Sequence, residues 1–238
     1  MPAITLIHIT STWSNAVLVA LLPQFSDCSK KLHLPILTPI TISQVAEFHP
    51  PIETGAFESE LWLTNGYTFH YLNGAVTGFN DLHNDLYIQQ DIDGLERFSG
   101  KDNMTTNEAV ELARNSFVKL GYKLSDFQMD GPPSTIEVAP DTDRYGHVPF
   151  CKVEWQNLTS PTNSYYMEFH VNMNQKRLLG MALVGQKLWR PLPKINATPE
   201  LESDYQKKHP PVKMFTRTNA APIRSVERTT NTPVAMPP

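Results

Sequence analysis

The chain has 238 residues, of which 40% are hydrophobic and 18% charged, with a formal net charge of −4. That is enough material for one large domain or two small ones with a substantial core. The charge balance gives no electrostatic case for a nucleic-acid partner, and two cysteines cannot build a disulfide scaffold.

The first periodic element spans about Ser14 to Leu32. Leu22, Phe25, Cys28, Ser29 and Leu32 recur at helical spacing, so an amphipathic helix is expected, kinked or restarted at Pro23. The apolar run Ala16 to Leu22 is also of signal-peptide length, but no Lys or Arg precedes it. It is too short to cross a bilayer, and no transmembrane segment is expected. Leu34 to Thr41 (LPILTPIT) carries two prolines and is expected to run extended as a linker.

Two Asn-Gly pairs, Asn65-Gly66 and Asn73-Gly74, punctuate the next stretch. Each lies between short β-prone runs and predicts a type I′ turn, because Asn and Gly tolerate positive φ. The stretch therefore reads as a three-stranded antiparallel meander. Leu61 and Leu63 alternate with Trp62, and Tyr67, Phe69 and Tyr71 alternate with Thr68 and His70, so one face is buried. Residues Asp81 to Asp102 are polar and irregular, with a helical turn around Leu95 to Phe98.

A second helix begins at Thr105-x-x-Glu108, a capping box. Ala109, Leu112, Ala113, Phe117 and Leu120 form its apolar stripe. Gly121 fits the left-handed stop, with Tyr122 as the apolar residue after it. A turn at Asp130 to Ser134 follows. Strands are expected over Val148 to Gln156, Ser164 to Asn172 and Lys176 to Val184, with a weaker one over Ser134 to Val138. The last two long strands join across Met173-Asn174-Gln175. Tyr165, Met167, Phe169 and Val171 alternate with Tyr166, Glu168, His170 and Asn172, the pattern of a sheet with one wet face.

Beyond Gln186 the chain turns rich in Pro, Thr and Asn, and nine of its 20 prolines lie from Pro191 onward. A disordered tail is expected, with Leu188, Trp189 and Pro191 docked on the core. It is mildly basic, from Lys207 to Arg228, but nearly lacks the aromatics of a single-strand binding surface.

Candidate chemistry is sparse. Cys28 and Cys151 have no Cys or His at zinc-finger spacing. Cys151 alternates with Val153 and Trp155 and reads as a buried thiol on a strand, and a Cys28–Cys151 bridge stays open. Asp81-x-His83-x-Asp85, followed by Asp91 and Asp93, offers oxygen and imidazole ligands. Leu86, however, stands where a calcium loop needs Gly, so a solvated polar loop is expected and no metal or cofactor. No nucleophile elbow, zinc-protease motif, P-loop or dinucleotide fingerprint is present. His70, His147 and His170 fall on or beside strands. Glu154 and Glu168 would face one another if their strands are neighbours, where acid–base work is one role and pairing with Lys152 and Lys176 the simpler one. His70, Glu154, Glu168 and His170 are the candidates for a cleft or exposed-face site, and no catalytic residue is assigned. The sequons at Asn103, Asn157 and Asn196 matter only in a chain secreted by a eukaryote.

The helix TTNEAVELARNSFVKLGY and the strands VPFCKVEWQ and SYYMEFHVNMNQKRLLGMALVG together resemble the PepSY-type module. Glu108, Ala109, Ala113 and Gly121 carry the helix part and Val171 to Leu179 the hairpin. Asn174-Gln175 stands where that family often has a Gly. The wider layout, Leu34-Pro35 to Val45, Leu63 to Phe69 and Asp102 to Tyr122, resembles uncharacterised bacterial proteins. The PepSY resemblance implies an extracytoplasmic, non-catalytic module, some examples of which inhibit or chaperone secreted peptidases. It implies a protein or peptide partner and carries no active-site residue onto this chain.

The expected fold is α+β: two PepSY/cystatin-like modules, each a helix packed on an antiparallel meander, over residues 14–100 and 101–190, then a disordered tail over 191–238. The expected function is a non-catalytic binding or regulatory module. The alternative is an enzyme or small-ligand carrier with its site in the cleft between the modules.

Overall fold

A computed structural model describes residues 12–51, 56–83, 100–139, 147–159 and 163–195. Asp85, Asp91, Asp93, the turn expected at Leu95 to Phe98, Asn196 and the basic tail lie outside these residues.

Helix α1 spans Thr12–Lys31 and α2 spans Thr106–Lys119. The strands are β1 (Val45–His49), β2 (Glu58–Leu63), β3 (Tyr67–Leu72), β4 (Ala75–Asp81), β5 (Thr135–Val138), β6 (Phe150–Asn157), β7 (Tyr165–Asn172) and β8 (Arg177–Gly185). All eight form one antiparallel sheet in the order β1-β2-β3-β4-β8-β7-β6-β5. Each helix is thus followed by four strands in meander order, and the two sets meet where β4 pairs with β8.

One row of paired residues crosses the whole sheet: Phe48, Leu61, Phe69, Phe79, Met181, Phe169, Val153, Ile136. Residues paired across strands share a face. Phe25 of α1 lies 5.4 Å from Phe69, and Phe117 of α2 lies 6.5 Å from Phe169, ring centre to ring centre. Both helices therefore cover the same face, and a single apolar cluster runs from Val17 to Leu188 through both.

Helix α1 is one element with Pro23 inside it, so no restart occurs. Proline leaves the carbonyl of residue 19 without its helical donor. Val19 is exposed, so that carbonyl lies on the side where water can replace the lost donor. Helix α2 has the expected ends. Thr105 N donates to Glu108 Oε2 at 2.6 Å, and Glu108 N donates to Thr105 Oγ1 at 3.2 Å. Gly121 takes φ of 91°, and Tyr122 N returns to the Phe117 carbonyl.

Four local expectations need correction. The first meander has a fourth strand, β1, whose bulge between Val45 and Glu47 hides the period-2 signal and leaves its apolar residues three apart. Asn73 and Gly74 both take positive φ, as type I′ requires, but at the earlier pair only Gly66 does. That loop spans three residues between β2 and β3 and closes with Gly66 in the left-handed region.

Asp81 is no solvated loop residue. It ends β4 at 2% exposure and accepts from Arg177 Nη2 at 2.9 Å and from Tyr67 Oη at 3.0 Å. Nor is the face opposite the helices wet throughout. His170 and Asn172 are buried there, beside a second apolar cluster of Ala139, Val148, Phe150 and Leu179, with the Phe150 ring 5.5 Å from that of His170.

The two meanders share a detail. Register slips just after His70, which pairs with Gly78, and just after His170, which pairs with Gly180. It resumes at Tyr71 opposite Val76 and at Val171 opposite Leu178. Across the join, Gly78 pairs with Ala182 and Asn80 with Gly180, so the pairing is symmetric about Phe79 and Met181.

Candidate functional site

All four candidate side chains lie on the sheet face opposite the helices. His70 pairs with Gly78, Gly78 with Ala182, Ala182 with Glu168, and Glu168 with Glu154. His70 is therefore three strand spacings from Glu168, roughly 14 Å at about 4.8 Å per strand. The fold gathers Glu154, Glu168 and His170 and leaves His70 apart, its Nε2 3.8 Å from Glu60 Oε1.

Glu154 and Glu168 are direct cross-strand neighbours, a repulsive placement for two carboxylates. The group between them is Tyr166, which is not among the four candidates. Its hydroxyl bonds Glu168 Oε2 and lies 3.3 Å from Glu154 Oε2. One hydroxyl has one proton, so it donates to one carboxylate at a time. The other Glu168 oxygen lies 3.0 Å from His170 Nε2. The available signal was alternation: Tyr166, Glu168 and His170 occupy every second position of one strand and share its face.

Burial pushes the Glu168 carboxyl up, but hydrogen bonds to His170 and Tyr166 outweigh it and hold the pKa below the ordinary value. Tyr166 moves the other way. Burial first, then the hydrogen bond and charge of Glu168, lift its phenol far above the usual range. At neutral pH the phenol is protonated and Glu168 ionised. Chemically this is a carboxylate–imidazole couple backed by a phenol, the type that positions a proton. His170 is only 7% exposed.

The charge of Lys152 contributes to the lowering of Glu168. Lys152 Nζ reaches Glu137 of β5 at 2.8 Å. His147 Nε2 lies 2.8 Å from Asp102 Oδ1, tying the lead-in of α2 to that of β6. Cys28 and Cys151 are buried free thiols, and burial lifts them to about 12 and about 11 respectively. Among the described residues no group of three or more His, Cys, Asp or Glu is placed to hold a metal ion, and no helix is long and apolar enough to cross a membrane.

Two cavities stand out, and neither includes any of the four candidates. One, of about 250 Å³, lies by Phe127, Tyr165 and Gly185. The other, of about 300 Å³, lies between α1, the end of α2 and the β3–β4 turn. Its edge is the segment after β8, where Arg190 N donates to the Asn73 carbonyl at 2.9 Å. No family model, curated protein or solved structure matches the chain.

Proposed function

We propose that the protein is a non-catalytic binding module, built as two PepSY-like helix-and-meander units joined edge to edge, that takes an extended segment of a partner protein along β5. The matched bulges after His70 and His170, and the symmetric pairing about Phe79 and Met181, support the two-unit reading. Helix ends agree with it too. His33 at φ 53° and Gly121 at φ 91° each follow a helix and precede a residue whose amide turns back into it.

The observation that carries the binding mode is the contrast between the two sheet edges. Strand β1 is bulged and partly buried, which is how native edges are protected. Strand β5 is regular, and all of its residues are exposed, including Ile136 at 43% and Val138 at 42%. Ala139 N donates inward to the Phe150 carbonyl. By alternation the amides of Ile136 and Val138 point away from β6. Two outward amides flanked by β-branched side chains suit strand addition.

The test selects binders from a random peptide display library against the full chain and compares Ile136→Lys and Val138→Lys. The reading expects β-prone peptides that slow amide exchange at 136–138 and lose affinity for both variants. Binders unaffected by either substitution would sink it, as would a chain dimer broken by Ile136→Lys.

A further inference from the structure

We infer that the cavity between the two helices is a binding site for a small monoanionic ligand with an apolar body, such as a medium-chain carboxylate. This is independent of the β5 edge, which lies at the far end of the sheet order from the β3–β4 turn.

The cavity has an apolar floor and a charged rim. Cys28 from α1, Ala75 and Val76 from β4, and Tyr122 from the end of α2 line it and are all buried. At the rim stand Asp27, Lys31 and Arg190. Asp27 Oδ2 and Lys31 Nζ are 2.8 Å apart and neutralise one another. Arg190 has no such counterpart among the described residues. Its guanidinium is 3.4 and 3.2 Å from the carbonyl oxygens of Lys187 and Trp189 and stacks over the Tyr122 ring at 4.7 Å. The rim therefore carries one uncompensated positive charge.

The side chain that carries that charge is held by the two carbonyls and the Tyr122 ring, and its main chain is held as well. Besides the bond from its amide to Asn73, Arg190 lies so close to the β3–β4 turn that a Cβ on Gly74 would sit 1.9 Å from its carbonyl oxygen. A fixed guanidinium beside an apolar floor is the pairing that recognises a carboxylate on a hydrocarbon stem, because the fork binds both oxygens and little is lost in ordering it. At about 300 Å³ the space is at the lower limit for ligand pockets, so the ligand is small. The acidity of Cys28 does not enter: its thiol, protonated at neutral pH, serves as apolar lining.

The probe is octanoate, titrated calorimetrically into the full chain, with octanol and octyltrimethylammonium beside it. Expected are one octanoate per chain, weaker octanol and no binding of the cation. Arg190→Gln weakens octanoate about tenfold or more and leaves octanol unchanged, Arg190→Lys recovers part of the loss, and Val76→Phe, which fills the floor, abolishes both. Urea unfolding of each variant shows that the fold persists. The proposal is overturned if octanoate does not bind at millimolar concentration, if Arg190→Gln binds it as well as the parent, or if Val76→Phe folds and binds unchanged.

Discussion

Phe79 of β4 and Met181 of β8 pair directly at the centre of the seam that joins the first four strands to the last four. Both side chains are buried in the cluster that runs beneath the two helices. Such a core predicts one cooperative unit. Phe79→Ala should cost about 3–5 kcal/mol, and urea unfolding followed by both far-ultraviolet circular dichroism and tryptophan fluorescence should still show one coincident transition. Two separated transitions would mean that the halves hold together independently of the seam.

The seam is also closed by charge. Arg177 on β8 reaches Asp81 on β4 at 2.9 Å and Tyr67 on β3 at 3.1 Å. Asp81 is buried, so removing the cation leaves a carboxylate that cannot reach water. Arg177→Met is expected to destabilise by about 3 kcal/mol. Arg177→Lys should recover less than half, since a single ammonium cannot serve both acceptors in the same geometry. Denaturant midpoints of the two variants decide this.

Glu168 sets an acid limit. Its carboxyl is held below the ordinary value of about 4.3 in the folded chain, by His170 and Tyr166 against the opposing effect of burial. The stabilisation is complete above the unfolded value and is lost as pH falls through the folded one. Stability should therefore decline below about pH 4, and Glu168→Gln should flatten that decline. Thermal melts between pH 7 and 2 measure it, and an unchanged slope in the variant would refute the assignment.

The alkaline limit belongs to the tyrosines. Tyr67, Tyr71, Tyr122, Tyr165 and Tyr166 are all raised, each chiefly by burial. A raised phenol favours the protonated folded state, so stability is lost as pH rises past the unfolded value of about 10. In a spectrophotometric titration these five of the eight tyrosines should ionise above the ordinary phenol value, with stability falling as they do.

Lys176 occupies the left-handed region at φ 54° in the turn before β8. A side chain there costs about 1–2 kcal/mol, partly offset by the entropy a glycine loses on folding. Lys176→Gly should raise stability by about 0.5–1 kcal/mol, read as a shift in the denaturant midpoint at constant m-value.

How much of this was legible follows the range of each interaction. The capping box at Thr105 and Glu108, the stop at Gly121 and the turn at Asn73-Gly74 each involve residues within five positions, so composition and spacing reveal them. Strand β1 is not legible because one bulge shifts the alternation by a residue. The burial of His170 is not legible because the cluster of Ala139, Val148, Phe150 and Leu179 that abuts it comes from separate parts of the chain. The candidate site was half visible: alternation put Tyr166, Glu168 and His170 on one face, but only the pairing of β6 with β7 brings Glu154 opposite Glu168.

Sequence alone determined the local grammar of this protein: the capped ends of α2, the core-facing residues of β2, β3 and β7, and the hairpin turn at Asn73-Gly74. Tertiary structure decided that the two meanders form one sheet. Nothing local encodes the pairing of Gly78 with Ala182 or Asn80 with Gly180, because strand pairing between distant segments depends on shape and edge complementarity, with no periodic signal in either segment. The same long-range closure laid Arg190 over Tyr122 and opened the cavity beneath it, which no spacing along the chain could announce.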